Sequence, residues 1–274
     1  MNNINVSFFS LNGRYYGRLT PVVNTNVTNL RKQIALSTDE SYILEIARRI
    51  IHAKISNQLV IANRYSSNVP DLMEIKNEVK RLKRKVVNAE SINQLIGFEG
   101  LASKYYFQAL SKVIVNDFAF NGRNRRPAVD PFNCMLNLGY ALLTKEIIGE
   151  IECRGLNPYI GFIHKDKAGH PALASDLIEE WRPVIVDSVV MSMIQGHEIS
   201  VDGFIFGPDG CRMKDDTLRT FISKIEKRME INNQYLNYIN GALTFREAIW
   251  HQADRMCRSV QKADPNMYFP VLIR

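Results

Sequence analysis

Chemistry in this chain of 274 residues is most plausibly placed at Glu99, His164 and the pair Asp176 and Glu179. Asp176 and Glu179 stand three residues apart, so a helix there carries both carboxylates on one face, with Leu173 and Leu177 on the buried side and Arg182-Pro183 directly after. Glu99 lies in Gly97-Phe98-Glu99-Gly100-Leu101-Ala102-Ser103-Lys104-Tyr105-Tyr106-Phe107, where helical spacing sets Ala102 and Tyr106 on its own face. A carboxylate among small and aromatic neighbours needs a cationic partner or a metal, because burying an unpaired charge is costly. His164 ends the run Gly155 to His164, where an apolar segment meets Lys165-Asp166-Lys167. Each residue also has a plainer role: a salt bridge for Glu99, an ion-pair network with Arg182 for the two acids, a satisfied rim position for His164. Together they make a mixed oxygen and nitrogen set suited to Mg²⁺ or Mn²⁺ acting on a phosphodiester. His164 and His170, six apart across Gly169, raise zinc instead, but no cysteine or third histidine is placed to complete such a site.

Cations are the second signal. Thirty-five Lys and Arg against 28 Asp and Glu give a formal charge of +7, which favours a polyanionic partner, most simply nucleic acid. The segment Phe118 to Pro127 concentrates Arg123, Arg125 and Arg126 on a loop before a helix N-terminus, and both features favour phosphate. Lys76, Lys80, Arg81, Lys83, Arg84 and Lys85 lie off the apolar stripe of a predicted helix and could follow a phosphate backbone or form a solvated face. The four cysteines, Cys134, Cys153, Cys211 and Cys257, are far apart with no C-x-x-C pair, so neither a disulfide framework nor a cysteine zinc site is indicated. With no leader pattern and no run near the roughly 20 apolar residues of a membrane span, the expectation is a soluble cytoplasmic protein without membrane contact.

The elements that position these residues follow from periodicity. Ile4 to Leu11 and Arg14 to Leu19 read as strands of a hairpin turning at Asn12-Gly13. A lone hairpin is marginal in water, so these strands are expected to need a sheet from another chain, a helical face or sequence upstream. From about residue 37 the period becomes helical, opening at a capping box of Ser37 and Glu40. Ile43, Ala47, Ile50 and Lys54 form one stripe; after a break at Ser66 to Pro70, Leu72, Ile75, Val79, Leu82 and Val86 form another. Further helices are predicted from near Gly97, from Asp130-Pro131 to Gly155, through Asp176 to Trp181, from near Asp215, and from a second capping box at Thr244 and Glu247. Leu156 to Gly169 lacks helical period. The fold class is α+β: a small, incomplete N-terminal β element at 1–24, then a large all-α catalytic domain at 25–274.

These landmarks, in order, resemble the CRISPR-associated integrase family of spacer acquisition, Cas-one. They are Asn29-Leu30-Arg31-Lys32-Gln33, the Gly97-Phe98-Glu99-Gly100 stretch with Ala102 and Tyr106-Phe107, Arg125-Arg126-Pro127 to Asp130-Pro131-Phe132-Asn133, Gly155 to His164, Asp176 to Pro183 with Asp187, and Tyr268 to Arg274. The resemblance implies a metal-dependent DNA endonuclease and integrase in which Glu99, His164 and Glu179 bind Mg²⁺ or Mn²⁺ and Asp176 supports the site. It also implies that basic surfaces, including Arg31, Arg123, Arg125, Arg126, Lys165 and Lys167, hold double-stranded DNA of the prespacer and the CRISPR repeat. Partners implied are a second copy in a homodimer and the small ferredoxin-like protein Cas-two. His164 is read either as a ligand or as proton donor to the leaving oxygen. Ala128 stands where the family usually has a second proline, and Glu179 where some relatives have Asp; the family's β domain normally has several strands before the point where this chain starts. The rival readings are a truncated, inactive DNA-binding scaffold and a related transposon integrase.

Overall fold

A computed structural model describes residues 6–9, 15–19, 26–65, 72–114, 116–124, 127–165, 167–234, 236 and 239–273. Strands β1 (Val6–Phe9) and β2 (Tyr15–Leu19) pair antiparallel, Val6 opposite Leu19, with an irregularity at Phe8/Phe9. The Asn12-Gly13 turn lies outside the described residues, as does the break at 66–70. Helices follow: α1 (Val27–Leu36), α2 (Glu40–Tyr65), α3 (Met73–Val87), α4 (Ile92–Val113), α5 (Pro131–Cys153), α6 (Ala172–Ile178), α7 (Ser188–Gln195), α8 (Asp215–Met229) and α9 (Phe245–Lys262). A second hairpin, β3 (Phe204–Gly207) with β4 (Gly210–Met213), interrupts the helical region, so the expected all-α domain is corrected. These strands are four residues each, too short for alternation to show, and Gly210 closes the turn at φ +100.

Helix α2 is the axis of the fold. One face puts Ile46, Ile50, Ile61 and Ala62 into a large core with Phe132, Leu143, Leu177, Trp181 and Val190. The other puts Ala47, Ile51, Ile55 and Leu59 against Val79, Leu82 and Val86 of α3 and Leu95 and Ala102 of α4. A helix apolar on two faces is buried between layers, which leaves Lys54 inside the protein. The predicted stripe of α3 is buried throughout, and its cations lie off it. Asp130 caps α5 by accepting the Asn133 N–H at 2.7 Å, and Thr244 and Glu247 form their capping box at α9.

Three boundaries differ from expectation, the first being that the helix expected through Trp181 ends at Ile178. The helix of Glu99 starts at Ile92, capped by Ser91, rather than near Gly97. The Ser37 and Glu40 capping box does not form: Ser37 ends α1, and Asp39 caps α2 by accepting the N–H groups of Ser41 and Tyr42 at 3.0 and 3.1 Å. Helix α1 itself has no apolar signature because it buries amides. Gln33 donates to Asn157 O and Ile160 O at 2.8 and 2.7 Å and accepts the Asn157 N–H at 2.8 Å; Asn29 donates to Arg154 O at 3.1 Å. Those bonds pin the start of the irregular segment that leads to His164.

The chain's last described residues return to α2 and to the segment after α6. Asn57 of α2 donates to Glu180 O and Val271 O, both at 2.9 Å, and accepts from Ile273 N at 3.0 Å. The fully buried Glu180 carboxylate accepts from Tyr268 OH at 2.6 Å and Val271 N at 2.7 Å. Burial outweighs those bonds and pushes its pKa up to about 8 from 4.5. In the window between those values the folded chain keeps a proton that the unfolded chain has released, so this group's contribution to stability is full below 4.5 and is lost as pH rises through about 8. The expected outcome in urea titrations at pH 6, 7 and 8 is that Glu180→Gln flattens the decline, the gap between wild type and variant changing by up to ~1.4 kcal/mol per pH unit. Parallel curves would place the proton elsewhere.

Candidate cation site and phosphate cleft

The site is built from the loop before α6, the end of α6, and the facing sides of α2 and α4. Asp176, on α6, is completely buried and anchors the loop: it accepts the backbone N–H groups of Phe162 at 2.6 Å, Ile163 at 3.1 Å and His164 at 3.0 Å. A fourth bond joins its Oδ1 to His164 Nδ1 at 2.7 Å. Gly161 permits this approach, since a Cβ there would lie 2.9 Å from Asp176 Oδ2 and 2.8 Å from Ala172 Cβ. With Nδ1 engaged, Nε2 is the nitrogen left for a cation or a proton. Burial of the ring opposes its charge, but the hydrogen bond and charge of Asp176, with Glu179 behind, raise its pKa above 6.5.

The two acids of the predicted pair therefore do different work. Helix α6 ends at Ile178, and Glu179 sits at its C-cap, facing α2 and α4 rather than the Asp176 loop. Lys54 of α2 lies between Glu179 and Glu99: its ammonium donates to Glu99 Oε1 and stands 2.5 Å from Glu179 Oε2. Ser103 Oγ donates to Glu99 Oε1 at 2.9 Å, one turn along α4, and Arg182 Nη1 pairs with Glu179 Oε1 at 2.9 Å. Burial pushes the Glu179 carboxyl up, yet Arg182 and Lys54 overcome it and hold the pKa at about 2. Lys54 escaped the sequence reading as a site residue, although a lysine in the stripe of Ile43, Ala47 and Ile50 was the signal for it.

The donor set meets the needs of a hard divalent cation: two carboxylates already gathered around a positive charge and an imidazole with a free nitrogen, all oxygen or nitrogen. Among the described residues no group of three or more His, Cys, Asp and Glu side chains stands close enough to hold an ion as placed, because the Lys54 ammonium takes the position between the two glutamates. His170 stacks edge-to-face with His164, ring centres 5.9 Å apart, and adds no cysteine or carboxylate to favour zinc.

Beside this cluster lies a cleft of about 640 Å³ lined by Lys54, Glu99, Arg123, Tyr140, Arg182 and Asp187. Residues Arg182–Asp187 form a π-helical turn, where Pro183 supplies no N–H to a regular α-helix, and its two ends both reach the cleft. The buried Asp187 accepts from Tyr140 OH at 2.5 Å and Tyr106 OH at 2.9 Å; burial outweighs those bonds and pushes its pKa up to about 6. The Tyr140 ring takes the guanidinium groups of Arg182 at 4.8 Å and Arg123 at 5.3 Å. Arg123 donates to the carboxamides of Asn133 at 2.7 Å and Asn137 at 2.6 Å. Arg125 and Arg126 lie outside the described residues. Lys165 and Lys167 are exposed on the loop around His164, and Arg31 is exposed on α1, away from the two glutamates. All four cysteines are free, and among the described residues no helix is long and apolar enough to cross a membrane.

The family model of CRISPR associated protein Cas1 matches residues 1–227. This chain belongs to the Cas1 family. A relative from Mycobacterium tuberculosis named CRISPR-associated endonuclease Cas1 is 34% identical over 263 residues, 95% of this chain and 78% of the relative. Among solved structures, a partial Cas6-RT-Cas1–Cas2 complex is 26% identical with a TM-score of 0.82, covering 97% of this chain and 80% of that one. A casposase bound to integration product is 25% identical with a TM-score of 0.86, covering 97% and 74%. The mostly helical fold is therefore the Cas1 fold, and the chain is a Cas1 family member with endonucleases among its relatives.

The Asp176 and His164 pairing carries its own test. Neutralising the acceptor in Asp176→Asn removes what raises the imidazole, so the His164 pKa followed by NMR is expected to fall to 6.5 or below in this Cas1. An unchanged titration would detach His164 from Asp176.

Proposed function

We propose that this chain is a divalent-metal-dependent DNA integrase of CRISPR adaptation, joining the 3′ hydroxyl of a short duplex to a phosphodiester of the repeat by transesterification. The observation that carries the reading is the gathering of Glu99 and Glu179 around one cationic position, with His164 fixed by Asp176, at the rim of an arginine-lined cleft. Glu99, Glu179 and His164 Nε2 are the proposed ligands of Mg²⁺ or Mn²⁺, which when bound would supply Lewis-acid activation of the attacking hydroxyl and stabilisation of charge on the phosphoryl oxygens. Arg182 and Arg123, both held against Tyr140 in the lining of the cleft, are the proposed contacts for the phosphate's charge. Asp176 keeps the imidazole's Nδ1 occupied, so the ring presents a single nitrogen.

Lys165, Lys167, Arg31 and the loop of Arg123, Arg125 and Arg126 extend the proposed DNA contact beyond the cleft. Relatives with this fold were solved in a Cas1–Cas2 complex and on an integration product, which supports double-stranded DNA, a Cas2 partner and a second copy of this chain as partners here. The proposed division is a β element at 1–24 and a catalytic unit at 25–274.

The test is strand transfer into a repeat-bearing plasmid with Mn²⁺ or Mg²⁺ and a short 3′-hydroxyl duplex, with and without the small partner. Glu99→Gln is expected to lower joining by a factor on the order of 100, since even supporting partners of a metal site cost about 10- to 100-fold, while circular dichroism stays that of the wild type. Joining that survives in Glu99→Gln, or a wild type that only binds DNA, would overturn the assignment, the second result in favour of a scaffold.

A further inference from the structure

The gathered carboxylates are held by a lysine. Lys54 leaves only 7% of its side chain exposed, and its ammonium spans Glu99 and Glu179. Two buried atoms nearby lack what they need. Glu179 Oε2 accepts no hydrogen bond among the described residues, so on that side it is balanced by the charge of the ammonium 2.5 Å away. One turn along α2, Gln58 donates through Nε2 to Ser103 Oγ at 3.2 Å and leaves its buried Oε1 without a hydrogen bond among the described residues. Lys54 and Gln58, four apart on one helix, share a face and line the same cleft.

Resting on the reading that Glu99 and Glu179 bind a divalent cation, we propose that Lys54 is a tethered cation that occupies this seat in the metal-free chain and swings toward Gln58 Oε1 when the metal binds, thereby setting the site's metal affinity. The charges require such an exchange. Glu99 and Glu179 carry two negative charges, and Lys54 and Arg182 balance them. A divalent ion added beside an unmoved ammonium would crowd two cations into one seat, where repulsion at short range is strong away from bulk water; moving the ammonium to Gln58 relieves that close approach without changing the net charge. The flexible four-carbon stem of lysine allows the displacement, and Gln58 Oε1 offers the departing ammonium an acceptor that no other described residue uses. In the absence of metal the same ammonium keeps the buried Glu179 carboxylate and the half-buried Glu99 carboxylate from facing one another uncompensated.

The experiment is calorimetric titration of the full chain with MnCl₂ for wild type, Lys54→Met, Lys54→Arg and Glu99→Gln, with melting temperatures measured with and without Mn²⁺. A crystal structure of the wild type with Mn²⁺ gives the position of Lys54 independently of any variant. Lys54→Met is expected to bind Mn²⁺ roughly tenfold tighter, to melt lower without metal and to gain more on its addition, whereas Lys54→Arg stays with the wild type. In the crystal, Lys54 Nζ is expected to have left both glutamates for Gln58. Glu99-dependent binding in the wild type with no tightening in Lys54→Met, or a Lys54 that still bridges both glutamates beside bound Mn²⁺, overturns the role of Lys54 and leaves the cation site standing. Absence of Mn²⁺ binding in both wild type and Lys54→Met overturns the cation site and this inference together.

Discussion

Two glutamates from different helices converge on one ammonium inside the protein, and the fold has to make that arrangement affordable. A buried carboxylate without a partner costs several kcal/mol, and Glu99 and Glu179 sit close enough that each would raise the cost of the other. Lys54 and Arg182 answer both charges. The lysine reaches them because α2 runs between two apolar layers and presents Lys54, with Asn57 and Gln58 in the next turn, where α4 and the end of α6 approach it. The cation binding proposed above is the chemical counterpart of the same constraint: two acids gathered around one positive charge are the kind of donors a hard divalent ion takes.

The neighbouring polar networks serve that geometry. Asp176 converts an irregular segment into a fixed one by taking three successive backbone N–H groups, and the ring of His164 is oriented as a consequence. Gln33 and Asn29 tie the start of that segment to α1, and Asn57 ties the end of the chain to α2 beside Glu180. Asp187 does for the cleft what Asp176 does for the loop, fixing Tyr140 and through it two guanidinium groups. The fully enclosed Asp176 and Asp187 thus position other groups, while the less enclosed Glu99 lines the cleft and Glu179 meets Lys54 and Arg182.

Elements whose buried side is apolar were legible in the sequence. The stripe from Leu72 to Val86, the Asp130-Pro131 start of α5 and the Thr244 and Glu247 capping box follow directly from spacing and cap chemistry, and the pairing of β1 with β2 was read as well. Helix α1 was not, because it buries Asn29 and Gln33, and a polar contact face has no hydrophobic period. The β3 and β4 hairpin was missed for its brevity, although Pro208-Asp209-Gly210 between Phe204-Ile205-Phe206 and Cys211-Arg212-Met213 is a turn signal between apolar runs. Glu99, His164, Asp176 and Glu179 could be singled out by residue type, but their division of labour could not. Spacing placed Asp176 and Glu179 on one face, whereas the end of α6 between them sends one to the loop and the other to Lys54.

The central claim is that Glu99, Glu179 and His164 share one cation. Pulsed electron paramagnetic resonance of the Mn²⁺-loaded chain reads it directly, because a coordinated imidazole gives a nitrogen coupling to the bound ion. The account predicts coupling from a single imidazole nitrogen, present in the wild type and absent in His164→Ala. Bound Mn²⁺ without nitrogen coupling, or coupling unchanged in His164→Ala, would contradict it.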